Sequence, residues 1–253
     1  MAGETEENRV TDLLLLSNST NHGRAPLEHA LDAVAEVLDG RTELVFVPFA
    51  LADHDGYTER IAAAVAPLGV RVRGLHTCAD PVAAVRSAPA VYTGGGNTFR
   101  LLADLYRREL LEPLRDRVSE GMPYLGASAG TNIAGPTVRT TNDMPIVEPP
   151  SLASLGLVPF QLNPHYVDPD PASRHMGETR EKRLAEFHEC NDIPVLGLRE
   201  GTWLRVRGDW AELAGVSTSG GAPGRLFRRG APGEDLSGDV SELLAPAREP
   251  VWG

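Results

Sequence analysis

Gly126-Ala127-Ser128-Ala129-Gly130 has the G-x-S-x-G spacing of a nucleophile elbow. Such an elbow holds a serine on a sharp strand-to-helix turn, where larger neighbours would clash. It also places Ser128 at a helix N-terminus, whose dipole favours developing negative charge, and aims the Ala129 N–H at an oxyanion. The same residues could be a glycine-rich turn with a capping serine. A second loop, Gly94-Gly95-Gly96-Asn97-Thr98, allows close backbone approach to a ligand and can supply a further oxyanion N–H. It lacks the G-K-[ST] of a phosphate loop, and Phe99 breaks a dinucleotide fingerprint. A serine nucleophile needs a base. Of the seven histidines, His165 stands out, in Asn163-Pro164-His165-Tyr166 after a predicted strand. The imidazole in turn needs an orienting carboxylate. Asp143 lies between Ser128 and His165 in the chain, and Glu200 follows a predicted strand. Spacing alone leaves both open. No H-E-x-x-H or similar spacing points to a metal.

These residues need a frame. Leu13–Leu16, Leu44–Val47, Val70–Leu75, Ala90–Tyr92 and Pro123–Gly126 read as buried strands. Between them, Pro26–Leu38, Glu59–Leu68, Pro81–Ser87 and Thr98–Glu120 carry helical spacing, the last broken near Pro113. Strands alternating with helices imply βαβ units, hence a doubly wound, mostly parallel α/β sheet flanked by helices. Both glycine loops then lie at strand C-terminal ends, where ligands bind in such sheets. Further on, Leu157–Leu162 reads as a strand and Gly177–Cys190 as a helix. Pro194–Leu198, Thr202–Arg207 and Trp210–Leu213 read as strands, the last two joined by a Gly208-Asp209 hairpin. The expected division is a disordered lead at 1–12, one catalytic domain at 13–229 and a peripheral acidic tail at 230–253.

The 253 residues suffice for one large domain, or two small ones at most, and need no staple. Acidic side chains outnumber basic ones 35 to 24, a formal charge of −11. That balance argues against nucleic acid and anionic membrane as partners. Much of the excess lies in the expected lead and tail, so a local arginine can still govern a pocket. The two cysteines, Cys78 and Cys190, lie far apart and suit a reducing compartment. The acidic N-terminus has no signal-peptide core, and Leu13–Leu16 is too short to span a bilayer. A cytoplasmic protein is expected, a monomer or homodimer without cofactor.

LLLLSNST, VYTGGGNTF, GASAGTN, RTTNDMPIV, QLNPHY, GETRE and EGTWL occur in this order between Leu13 and Phe227. Together they resemble peptidase E, the α-aspartyl dipeptidase family of serine peptidases. The resemblance implies a fold like class I glutamine amidotransferase domains, with serine in place of cysteine. It implies hydrolysis of dipeptides with N-terminal aspartate, without metal or organic cofactor. By the same resemblance Ser128 is the nucleophile, His165 the general base, and Asp143 or Glu200 the third member. Gly96 and Ala129 become the oxyanion donors, and Arg180, in GETRE, binds the substrate's aspartyl carboxylate. A guanidinium fork suits that task. Ala127, in place of a bulkier residue, and the proline- and charge-rich segment 167–176 depart from the family and bear on substrate preference. Two other readings remain: a same-fold serine hydrolase acting on another aspartyl substrate, as a cyanophycinase does, or an inactive amidotransferase-like binding module.

Overall fold

β1 (Asp12–Leu16) carries four consecutive leucines because both of its faces are covered. The computed structural model describes residues 11–169 and 177–245. In it the chain continues through α1 (Leu31–Leu38), β2 (Glu43–Val47), α2 (His54–Val65), β3 (Arg71–Gly74), α3 (Pro81–Arg86) and β4 (Val91–Thr93). α4 (Thr98–Arg107), α5 (Leu111–Ser119), β5 (Tyr124–Ala127) and the one-turn α6 (Ala129–Asn132) follow. A long irregular stretch leads to β6 (Gln161–Tyr166), α7 (Arg180–Cys190), β7 (Val195–Arg199), β8 (Thr202–Arg207) and β9 (Trp210–Gly215). β10 (Gly224–Phe227), β11 (Glu234–Leu236) and β12 (Gly238–Asp239) end the order of strands.

Eight strands form one sheet in the order β12-β9-β8-β1-β5-β4-β2-β3. Its β1, β5, β4, β2 and β3 are parallel, and β8, β9 and β12 extend it antiparallel. The four β1 leucines are buried and alternate between two cores. Leu14 and Leu16 join α1 and α2 through Val34, Val37 and Ile61. Leu13 and Leu15 join the opposite core with α4 and α5, which also receives Leu162, Leu196 and Leu226. Those last three belong to a second sheet, β11-β10-β7-β6, packed on that face. The sequence pattern predicted the parallel sheet but not this second one.

The structure departs from several expectations for physical reasons. The helical break falls at Arg108–Leu110, where Glu109 has φ 54°, and not at Pro113. Pro113 sits in the first turn of α5, where its missing N–H is not needed. α2 starts at His54 because Asp53 caps it, accepting from the Gly56 N–H at 2.9 Å. His165 lies within β6 and not in a loop beyond a strand. The expected boundary at 229 is corrected as well. β11 pairs with β10, β12 pairs with β9, and Leu243 enters the larger core, so residues 230–245 complete the edges of both sheets. Of the expected lead, Asp12 belongs to β1 and ion-pairs with Arg205. Residues 1–10 of that lead and 246–253 of the expected tail lie outside the described residues.

Arg199, at the end of β7, ties these parts together. Its buried guanidinium donates to both oxygens of Asp168 at 2.6 and 2.7 Å, to Asp235 of β11 at 2.8 Å, and to the Ala222 carbonyl at 2.7 Å. The Arg199 hydrogen bonds hold Asp168 below the usual carboxylate range. For Asp235, burial pushes upward, and hydrogen bonds from Arg199 and Arg225 outweigh it. Carboxyls with depressed folded values stabilise above their unfolded value, near about 3.9, and lose that contribution as pH falls through the folded value. Arg199→Met is expected to cost about 2 kcal/mol at pH 7, discounted because both carboxylates are partly exposed. The penalty shrinks below about pH 4 as the carboxyls protonate. Urea unfolding of both proteins at pH 7 and pH 3 checks this, and an equal penalty at both pH values would refute it.

Candidate active site

β1, β5 and β4 are adjacent and parallel, with Leu16 opposite Ala127 and Thr93 opposite Gly126. Three loops therefore meet at one sheet edge: Ser17-Asn18, Ser128 and Gly94–Gly96. Ser128 has φ 52° and ψ −109°, a region that costs a non-glycine residue about 1–3 kcal/mol. Its N–H donates to the Leu16 carbonyl at 3.2 Å, and the Thr131 hydroxyl donates to the same oxygen at 2.6 Å. Gly130 is required here, since a Cβ would strike the Thr93 carbonyl. The Ser128 hydroxyl makes no capping bond to α6. That removes the capping-serine reading of the motif.

The Ser128 hydroxyl instead meets His165. His165 Nε2 is 2.9 Å from Ser128 Oγ, and His165 Nδ1 is 2.7 Å from Glu200 Oε1. A carboxylate can only accept, so Nδ1 carries the proton and Nε2 is free to take one from the serine. The backbone arranges this. β6 and β7 are parallel, with Tyr166 opposite Arg199, so His165 and Glu200 emerge side by side. The register shifts between Asn163 and Tyr166, and such bulges re-aim side chains. His165 itself has φ 55°. Its N–H donates to Ser17 Oγ at 2.9 Å, and the Ser17 hydroxyl donates to the Leu198 carbonyl at 2.9 Å. Beside Glu200, the Gly201 N–H donates to Asn18 Oδ1 at 2.7 Å. The polar loop after β1 thus braces both the imidazole and its acid. In the sequence this loop is visible only as the polar end of LLLLSNST. A run of Ser-Asn-Ser-Thr directly after a buried strand was the available signal.

The Gly94–Gly96 loop is equally constrained. Tyr57, on α2, accepts the Gly95 N–H on its hydroxyl at 2.7 Å, and burial pushes its pKa up to about 12. Gly96 has φ 133°, and a Cβ there would meet the Ala50 carbonyl. Among the described residues no acceptor takes the N–H of Gly96 or of Ala129. Both remain available to an oxyanion.

Asp143 is elsewhere, and its candidacy as the orienting acid is corrected. Its Oδ2 accepts from the Thr98 N–H at 2.7 Å and the Thr98 hydroxyl at 2.6 Å. It caps α4 together with Asn97, whose side chain accepts from the Arg100 N–H at 3.0 Å. Arg180 opens α7. Burial lowers its pKa, Arg183 lowers it further, and the nearby Asp143 carboxylate opposes both. Arg180 is not among the residues lining the cleft over Ser128 and His165. That cleft holds about 330 Å3, and Tyr57 and Arg60 of α2 are among the residues lining it. Nothing in the sequence pattern singles out either residue. Among the described residues no cluster of His, Cys, Asp and Glu could hold a metal ion.

Residues 13–214 match peptidase family S51. Peptidase E of Streptomyces coelicolor is 61% identical over 92% of this chain and 95% of its own. A Drosophila melanogaster protein named "probable alpha-aspartyl dipeptidase" is 48% identical over 92% of this chain and 97% of its own. The crystal structure of a peptidase from an acI-B1 actinobacterium superposes with a TM-score of 0.60 at 18% identity, covering 90% of this chain and 94% of that one, a likeness of fold.

Proposed function

The chain belongs to peptidase family S51 and is a serine peptidase, and from that premise we propose that it hydrolyses dipeptides with an N-terminal aspartate, using Ser128 as nucleophile. The observation that carries the proposal is the hydrogen-bonded series Ser128–His165–Glu200 beside two unclaimed backbone N–H groups. In the proposed reaction, Ser128 Oγ attacks the scissile carbonyl carbon while its proton passes to His165 Nε2. Glu200 stabilises the resulting imidazolium through Nδ1–H. The Gly96 and Ala129 N–H groups hold the oxyanion. When the C–N bond breaks, His165 returns the proton to the leaving amine, and an aspartyl ester stays on Ser128. Water, deprotonated by His165, then attacks the ester carbonyl; the bond to Ser128 Oγ breaks, His165 returns the proton to that oxygen, and aspartate is freed.

Arg180 is proposed to pair with the aspartyl side chain. It is a partly buried cation within electrostatic reach of Asp143, the carboxylate that accepts from the first N–H of α4. A panel of Asp-Xaa, Ala-Xaa, isoaspartyl and longer peptides tests the reading. Wild type is expected to cleave Asp-Xaa only, and Arg180→Ala to lose about 10–100-fold of its preference for Asp over Ala, the scale of a charge-assisted fork. An unchanged preference removes Arg180 from the role. Cleavage of long aspartyl polymers in place of dipeptides would favour the cyanophycinase-like reading. An inactive module is disfavoured because the serine hydroxyl is already engaged by its base. A cytoplasmic location, with the protein acting as a monomer or homodimer, completes the proposal. Cys78 and Cys190 are both free thiols, and no helix among the described residues is long and apolar enough to cross a membrane.

A further inference from the structure

An Asp-Xaa dipeptide brings two carboxylates to the enzyme, and Arg180 accounts for one of them. The second, at the C-terminus of the leaving residue, needs its own partner. During C–N cleavage the leaving amine must lie at His165 Nε2, so the leaving residue occupies space that His165 borders. The cleft over Ser128 is lined by both His165 and Arg60. Arg60 is the one arginine or lysine among the described residues lining that cleft.

Arg60 is placed for a ligand more than for an internal contact. It lies one turn after Tyr57 on α2, on the same helical face. Its guanidinium sits 5.3 Å from the centroid of the Tyr57 ring, whose hydroxyl holds the Gly95 N–H. The nearest carboxylate, Asp53, is 3.9 Å away and already caps α2, and both side chains are more than half exposed. That is a weak pair, easily displaced. Leu51 and Ile61 beside Arg60 offer apolar wall to a leaving side chain. A volume of about 330 Å3 is at the small end for ligand clefts.

We infer that Arg60 binds the C-terminal carboxylate of the leaving residue and thereby restricts the enzyme to dipeptides. The inference rests on the dipeptidase reading above. In a longer peptide the residue after the scissile bond has an amide where Arg60 meets a carboxylate, and the chain must continue past the α2 wall. Arg60 is thus a specificity-determining residue on the leaving side, as Arg180 is on the acyl side.

The test compares Asp-Leu with Asp-leucinamide, which differ only in that carboxylate, on purified wild type, Arg60→Gln and Arg60→Lys. Wild type is expected to prefer the free acid. Arg60→Gln is expected to lose about 10–100-fold in kcat/KM on Asp-Leu, mainly through KM, so that the preference for acid over amide falls at least about tenfold. Arg60→Lys should recover part of it, since it keeps the charge without the fork. Equal losses on both substrates would overturn the inference, as would an unchanged preference for the acid. Loss of the preference for Asp over Ala with the acid preference intact would also overturn it, placing Arg60 on the acyl side. If wild type cleaves neither substrate, the dipeptidase reading itself falls. If wild type cleaves both equally, that reading stands and only the role of Arg60 falls. Thermal melting of each variant checks that the fold is kept.

Discussion

Ser128→Ala is expected to lower kcat for Asp-Xaa hydrolysis by about 10⁶-fold, the scale seen when a serine hydrolase loses its nucleophile. The argument is geometric. Ser128 Oγ is the atom that meets His165 Nε2 at 2.9 Å, next to the free Ala129 and Gly96 N–H groups. Removing that oxygen leaves the oxyanion donors and the cleft but nothing to form the ester. The fold should not change. Ser128 spends no side-chain bond on capping α6, and its strained backbone is held by Leu16, Thr131 and the close approach of Gly130 to Thr93, none of which involves the hydroxyl. Steady-state hydrolysis of Asp-Leu, set beside thermal melting, reads both halves of the expectation. Retained turnover in a folded Ser128→Ala protein would end the assignment. A large drop in melting temperature would instead show that the hydroxyl has a structural duty the geometry does not suggest.

What could be read in the sequence divides along a physical line. Local chemistry was legible: the elbow needs small residues at fixed spacing, so Gly126–Gly130 announces itself, and the leucines of β1 announce a strand buried on both faces. Features created by pairing of distant segments were not. Asp143 and Glu200 are equivalent as letters, and only the β6–β7 register, with Tyr166 opposite Arg199, puts Glu200 beside His165. Ser17 and Asn18 act across more than 140 residues of chain, through a hydroxyl and an amide that sequence reads as ordinary loop polarity. Tyr57 and Arg60 lie on α2, which starts five residues before the helical spacing at Glu59 because Asp53 caps it. The acidic stretch after Gly230 reads as peripheral because its charges are its most visible property. Asp235 of β11 is held by Arg199, and acidic side chains on an edge strand also discourage further pairing.

The two acids separate in one experiment. Glu200→Gln keeps the size of the side chain but removes the charge that offsets the imidazolium, and its amide can present N–H groups to His165 Nδ1. Either change disfavours the tautomer that the serine needs. A buried triad aspartate made into asparagine loses about 10⁴-fold. Here His165 and Glu200 side chains are 38% and 47% exposed, so water screens the charge, and the expected loss in kcat is smaller, about 10²–10³-fold. Asp143→Asn has a different consequence. An asparagine still accepts the Thr98 N–H, so α4 loses about 0.5–1 kcal/mol from the weaker cap and the missing charge at its N-terminus. Its kcat should fall less than about fivefold, since no reacting atom contacts Asp143. The measurable signature is therefore a crossing. Glu200→Gln should melt like wild type and turn over slowly, while Asp143→Asn should melt slightly lower and turn over well. A loss of kcat in Asp143→Asn equal to that in Glu200→Gln would contradict the geometry. It would mean that the Thr98 contact opens when substrate binds, and that the carboxylate then serves the chemistry.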